Sequence, residues 1–172
     1  MLNCFAMDIT YLGHSSFKLK GKAASILTNV SSFKVEAEKR VKMEISEPGE
    51  YEIGGISIIG MLLGRSKVFV FEIDGLRIAY LGNFFGGVTD EKASLLGSID
   101  VVIINVGITA KESVKIVSGI DPYFVLPFSD TDSVETFLAE SGLTVEKMDK
   151  FSLKREDILE ESGTKIVLLP QK

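Results

Sequence analysis

The sequence predicts an α/β (α+β) domain in which hairpin-built sheets are layered with helices. Three observations lead there. Apolar and polar residues alternate with a period of two through most of the first half, two turns carry the residue pairs of tight hairpins, and the second half changes to strand–helix alternation.

In chain order, Asp8 to Leu12 and Ser16 to Leu19 read as short strands joined near Gly13, and Ala24 to Thr28 reads as a third. From Phe33 to Ile45 the odd positions Phe33, Val35, Ala37, Val41, Met43 and Ile45 are apolar, while the even positions are mostly Lys and Glu. That pattern predicts two half-buried strands with a turn near Lys39-Arg40, the charges forming a solvated face. Glu50 to Ile53 and Ile56 to Met61 then flank Gly54-Gly55, and Lys67 to Ile73 and Leu76 to Leu81 flank Asp74-Gly75. Both pairs are signals for two-residue turns, whose central positions need positive φ.

Beyond residue 88 the character changes. Thr89 followed by Asp90-Glu91 opens a short helix, with a capping hydroxyl and acids in its first turn. Asp100 to Val106 is a continuous apolar run, as a strand covered on both faces requires. Thr109 and Glu112 have capping-box spacing for a helix running to about Ser118. Pro122 to Pro127 follows as a strand, Ser133 to Glu140 as a helix ended by Gly142, and Thr164 to Leu169 as a last strand.

With 172 residues and no linker, repeat or low-complexity tract, residues 1–172 form one expected domain, with 1–6 as an N-terminal extension and either Met1 or Met7 as the start. A chain of this size buries on the order of 70% of its unfolded surface. The mean hydropathy of +0.25 therefore calls for a wide core or a subunit interface. Apolar runs such as Val68 to Phe71 fall far short of the ~20 residues of a membrane span, and no export signal is visible. The net charge of −5, without a basic stripe, disfavours nucleic acid. A single cysteine, Cys4, excludes an internal disulfide and reads as an inert near-terminal thiol, so a reducing cytoplasm is expected.

Several phrases resemble one family. Met7-Asp-Ile-Thr-Tyr-Leu-Gly-His-Ser-Ser-Phe17 followed by Ile26-Leu27-Thr28 is similar to the start of the short metal-dependent hydrolases of the metallo-β-lactamase superfamily. Pro48-Gly-Glu-Tyr-Glu-Ile-Gly-Gly55 resembles their middle hairpin, and Val70-Phe-Glu-Ile-Asp-Gly-Leu-Arg-Ile-Ala-Tyr-Leu-Gly82 the strand pair that delivers a metal-bridging aspartate. Thr109-Ala-Lys-Glu112 and Ile120-Asp-Pro-Tyr-Phe-Val-Leu-Pro127 resemble the later helix and strand, so the likeness runs from Met7 to about Leu169. It implies an αββα sandwich with a two-metal site at one edge.

Each ligand motif that the resemblance implies is missing. The interval Asn29 to Glu47, where an H-x-H-x-D-H loop is expected, holds no histidine, and Asn29-Val30 stands in place of Asp-Pro. Met61-Leu62-Leu63-Gly64 follows Ile59-Gly60 without a ligand histidine, Asn83 replaces the bridging aspartate, and Ser129 replaces the last histidine. Zinc hydrolases use about three protein ligands plus a bound water, whereas this chain contains one histidine, His14. The expected cofactor is therefore none, and His14, Asn29, Asn83, Ser129 and Asp130 are vestigial-site positions.

Other chemistry finds little support. Ser15 and Ser16 adjoin His14, but no G-x-S-x-G elbow exists. Gly82 to Gly87 lacks the spacing and lysine of a phosphate loop. It reads instead as the remnant of the aspartate loop, filled by Phe84 and Phe85. Asp130 and Asp132 could hold a hard cation, or with Ser133 act as loop and helix-cap residues.

The interval after the third strand is also too short for the helix that covers the first sheet in the family, so a helix of the N-terminal half is expected to be missing. Uncovered apolar surface costs roughly 25 cal/mol per Å² and marks interfaces. Phe33, Val35, Val41 and Met43 are accordingly expected to meet a second copy. The leading functional expectation is a catalytically inactive scaffold or regulatory, homo-oligomeric subunit with protein partners. The alternatives are a divergent metal-dependent hydrolase using His14, Asp130 and Asp132, and a small-molecule binder whose cleft is lined by Phe84, Phe85 and Phe128.

Overall fold

Alternation in the N-terminal third folds into an antiparallel meander of β1 (Met7–Gly13), β2 (Ser16–Lys20), β3 (Ala24–Thr28), β4 (Phe33–Ala37) and β5 (Val41–Ile45). The computed structural model describes residues 5–37 and 41–172. Cys4 and the rest of residues 1–4, the Lys39-Arg40 turn and the side chain of Val41 lie outside the described residues. A second meander holds β6 (Gly49–Ile53), β7 (Ile56–Leu63), β8 (Ser66–Ile73) and β9 (Leu76–Gly82). Helix α1 (Asp90–Leu96), β10 (Val101–Asn105), α2 (Ala110–Ile120), β11 (Phe124–Phe128) and α3 (Ser133–Ser141) alternate after it. The chain closes with β12 (Thr144–Lys147), β13 (Phe151–Leu153), a 3₁₀ turn at Arg155–Asp157, and β14 (Lys165–Leu168). The six-stranded sheet runs β13-β1-β2-β3-β4-β5, and the eight-stranded sheet runs β12-β14-β11-β10-β9-β8-β7-β6.

Local chemistry fixes the punctuation. Asp74 and Gly75 both take positive φ (51° and 79°), the geometry a two-residue hairpin demands. The Asp74 carboxylate then accepts the Lys22 N–H at 2.9 Å, tying a turn of one sheet to a turn of the other. Thr89 and Thr109 cap α1 and α2 by accepting the N–H groups of Lys92 and Glu112, and Gly142 ends α3 with φ 62°. No helix among the described residues is long and apolar enough to cross a membrane.

The packing makes three layers. Between the sheets lie Ile9, Leu19, Ile26, Phe33 and Val35 from one side and Ile58, Phe69, Phe71, Ile78 and Ile103 from the other. Phe33 meets the rings of Phe69 and Phe71 edge-on, at 4.9 and 5.0 Å between centroids. On the far face of the eight-stranded sheet, Val70, Ala79, Val102 and Val125 pack against Leu96, Ile116 and Phe137, one from each helix. The six-stranded sheet carries no helix on its outer face among the described residues.

One expectation is overturned here. Phe33 and Val35 are fully buried in this chain's own core and cannot meet a second copy. The physical reason is parity. A sheet with one partner sheet can bury only one of its faces, and from β4 the inter-sheet core takes the odd-numbered residues. The face left in water shows Lys18, Lys20, Lys34, Glu36, Lys42 and Glu44, with ion pairs Lys34–Glu44 (3.8 Å) and Lys42–Glu36 (3.5 Å). Met43, on the edge strand, remains 46% exposed.

Two short strands escaped the sequence reading. β13 is held beside β1 through Asp8, whose carboxylate accepts the Ser152 hydroxyl at 2.6 Å and the Lys150 ammonium at 3.0 Å. Burial pushes that carboxyl up, but these bonds and the charges of Lys150 and Lys20 outweigh it and leave Asp8 below the usual carboxylate range. At the opposite end of the inter-sheet core, the Tyr80 hydroxyl points at the carbonyls of Ser15 and Asn29, 2.9 Å from each. Burial foremost pushes its phenol up to about 12.

Two outcomes are expected from denaturant unfolding. Phe33→Ala should lose about 3–5 kcal/mol of stability as a core truncation, whereas Leu27→Lys on the outer face should stay within about 0.5 kcal/mol of wild type. The reverse ranking would mean that the buried face had been assigned wrongly. Tyr80→Phe should lose about 1–3 kcal/mol near neutral pH, since the buried hydroxyl shared between the Ser15 and Asn29 carbonyls is removed. Because the folded phenol titrates above the unfolded one, Tyr80's contribution is complete below about pH 10 and is lost as pH rises toward about 12. The variant's stability curve should therefore fall less steeply over that window.

Candidate functional site

Three parallel strands decide where a site can form. β9, β10 and β11 run in the same direction, and their carboxyl ends deliver Asn83, Asn105 and Ser129 to one edge of the sandwich. The β1–β2 turn brings His14 and Ser15 to that edge, and the end of β3 brings Thr28 and Asn29. Ligand sites of open α/β sheets lie at the carboxyl ends of strands.

The groups at these strand ends are neutral and satisfy one another. Asn105 Nδ2 donates to Asn83 Oδ1 at 2.7 Å, and the Gly107 N–H donates to Asn105 Oδ1 at 2.8 Å. A Cβ on Gly107 would stand 3.0 Å from both Asn105 Oδ1 and Ser129 Oγ, so the backbone presses closely against both side chains. Ser129 Oγ accepts the Thr131 N–H at 3.1 Å, and its hydroxyl meets Thr131 Oγ1 at 2.9 Å, which in turn meets Ser133 Oγ at 2.6 Å. Beneath them Thr28 Oγ1 donates to the Ser15 carbonyl and accepts the Phe17 N–H, both at 2.9 Å.

His14 sits at the tip of its turn with φ 50°, and its Nδ1 lies 2.9 Å from Asp130 Oδ1. The two side chains are 83% and 66% exposed, so water screens the pair and little holds it in place. The Tyr11 hydroxyl donates to the His14 carbonyl at 3.0 Å. Burial pushes the Tyr11 phenol up, and the negative charge of Asp130 adds to the shift. Asn29 is occupied with its own loop: its Oδ1 accepts the Val30 N–H and its carbonyl accepts Tyr80. Asp132 stands at the N-cap of α3 without making a side-chain capping bond.

The residues present do not fit the two-metal centre implied by the fold resemblance. A zinc site draws about three ligands from His, Cys, Asp and Glu. Here the strand ends present amides and hydroxyls that already hold each other, and among the described residues no group of three or more such side chains comes together.

The expected aromatic cleft is also corrected. Phe84 and Phe128 are 1% and 3% exposed, one in the helix-side core and the other between the sheets. Phe128 stacks on Tyr80 and meets Phe17 edge-on. Phe85 alone of the three is open, at 59%. It lines a groove of about 400 Å³ together with Val30, Arg65, Lys67 and Asn83. Lys67 is already engaged, donating to the Ser46 carbonyl at 2.9 Å and to Glu47 at 3.1 Å.

Sequence reasoning missed Asn105, Thr131, Tyr80 and Thr28. Asn105 had a signal of its own, as the one amide closing the apolar run Val101–Asn105 at the end where the site was expected. The roles of Tyr80 and Thr28 depend on contacts across the sheets and had none.

Comparison with known proteins agrees with this geometry. A model of the β-lactamase superfamily domain matches residues 39–129, more than half of the chain. A crystal structure from Thermotoga maritima, described as a candidate Zn-dependent hydrolase of the metallo-β-lactamase superfamily, superposes with a TM-score of 0.75 at 24% identity. That match covers 95% of this chain and 98% of the other, and it speaks to the fold. No curated protein matches the chain. The chain belongs to the β-lactamase superfamily domain family and carries its metallo-β-lactamase-like fold, with two sheets and three helices among the described residues.

Proposed function

We propose that this chain is a non-catalytic member of its family that works by binding, as a scaffold or regulatory subunit, and holds no metal. The observation that carries the reading is the hydrogen-bonded run Asn83–Asn105–Gly107 beside Ser129–Thr131–Ser133 at the strand ends. A hydrolase needs charge concentrated there, to bind a cation and lower the pKa of its water. Neutral groups that satisfy each other supply no such charge. The single cysteine suits a reducing compartment, and the proposal places the chain in the cytoplasm.

Two further readings each have one observation in their favour. The His14–Asp130 pair, 2.9 Å apart at the same edge, is the remnant on which a divergent metal-dependent hydrolase would have to be built, with Asp132 nearby in sequence. The groove beside Phe85 and Arg65 is the place where a small molecule would bind, and a ligand-induced rise in Tm without turnover would favour that reading.

Elemental mass spectrometry of the purified protein, before and after incubation with zinc and with manganese, tests the main reading. Less than about a tenth of an equivalent per chain is expected in each case, because affinity requires several preorganised anionic or imidazole ligands. One or two tightly held equivalents, lost in His14→Ala or Asp130→Ala, would overturn it and put the hydrolase first.

A further inference from the structure

We infer that the free edge of β5 is a self-complementary pairing site through which two copies of this chain join their six-stranded sheets. Among the described residues β5 ends its sheet, with β4 on one side and no strand on the other. An edge strand presents unpaired N–H and C=O groups that another strand can take up. The occupant is a second copy, and the sequence of the strand argues for it. β5 reads Val41-Lys-Met-Glu-Ile45, with opposite charges placed symmetrically about Met43. Antiparallel pairing of two copies centred on Met43 sets Lys42 opposite Glu44 of the partner, and Glu44 opposite Lys42. Parallel pairing would set like charges side by side, which is unfavourable for directly opposed residues. Only the antiparallel arrangement is complementary, and it generates a closed two-fold dimer.

The neighbouring strand extends the match. Within one copy Lys34 faces Glu44 and Glu36 faces Lys42, in register and as ion pairs at 3.8 and 3.5 Å. Across the joined edge these become two rows in which the sign alternates at every strand: Lys34–Glu44–Lys42–Glu36 and its two-fold mate. On the other face Val35 is paired with Met43 in register, and Met43 is 46% exposed at the rim of the core. In the dimer Met43 would cover its own counterpart, so one row would be apolar while the face above it is charge-alternating.

Pairing through one five-residue strand buries less than the roughly 1,200 Å² typical of stable complexes, so the association is weak, with a Kd on the order of 100 μM. The interface deepens the scaffold reading and rests on it only for its use in the cell. Metal content and self-association are measured separately, so either proposal can fail alone.

Sedimentation velocity of the full chain from about 10 μM to 1 mM tests the interface. Wild type should shift from monomer toward dimer across that range, and less so at high salt, which screens the exposed pairs. Lys42→Glu and Glu44→Lys should each remain monomeric, since each opposes like charges at the joined edge. An equimolar mixture of the two variants should dimerise, because the doubly acidic strand of the Lys42→Glu chain then faces the doubly basic strand of the Glu44→Lys chain. That rescue separates a pairing defect from a folding defect. A wild type that stays monomeric at the highest concentration, self-association that neither substitution weakens, or a mixture that fails to recover would overturn the proposal.

Discussion

Everything in this molecule depends on how a sheet with water on one face and another sheet on the opposite face divides its side chains. The strand period of two leaves one solution: successive residues must be assigned in turn to core and solvent. β4 shows it in four residues, where Phe33 and Val35 are fully buried while Lys34 and Glu36 face the solvent. Because the solvent face is charged, the six-stranded sheet needs no helix layer over it, and the core beneath it can be closed by aromatic contacts such as those of Phe33 with Phe69 and Phe71. Had the outer face been apolar, a covering element or a partner would have been obligatory.

The eight-stranded sheet obeys the opposite rule. Helices pack on its far side, so its central strands are buried on both faces and Val101 to Ile104 form a continuous apolar run. Parallel connections through α1 and α2 then bring the carboxyl ends of β9, β10 and β11 to a single edge. The location of the candidate site is thus a consequence of topology and is independent of what the site holds. Tyr80 links this edge to the other sheet: its buried hydroxyl serves the carbonyls of Ser15 and Asn29, the residues that flank the β2–β3 pair.

Features governed by local rules were legible in the sequence. The Asp74-Gly75 turn, the capping threonines Thr89 and Thr109, and the glycine ending α3 all stand where pattern and turn chemistry place them. What required knowledge of a partner was not legible. The alternation in β4 shows that one face is buried but not by what, which is why the sequence alone sends Phe33 and Val35 to a second copy. Phe84 and Phe128 read as cleft aromatics although each ends in a different core. β12 and β13, four and three residues long, carry too few positions for a period to show and exist only because β14 and β1 present edges to them. At the site, the substitutions Asn83 and Ser129 were visible as missing charge, whereas the amide and hydroxyl network they enter is made by Asn105 and Thr131 from other loops.

That network bears on how this fold is held together at an edge whose strand ends carry amides and hydroxyls. Carboxylates and imidazoles gathered to bind a cation repel or desolvate one another when the cation is absent, so such a site draws its stability from the bound ion. The combination of an amide at Asn83 with a hydroxyl at Ser129 brings no such repulsion. It also supplies donors as well as acceptors, so each group can satisfy its neighbour: Asn105 donates to Asn83 and accepts from Gly107, and Ser129 accepts from Thr131. The strand ends are held by their own hydrogen bonds.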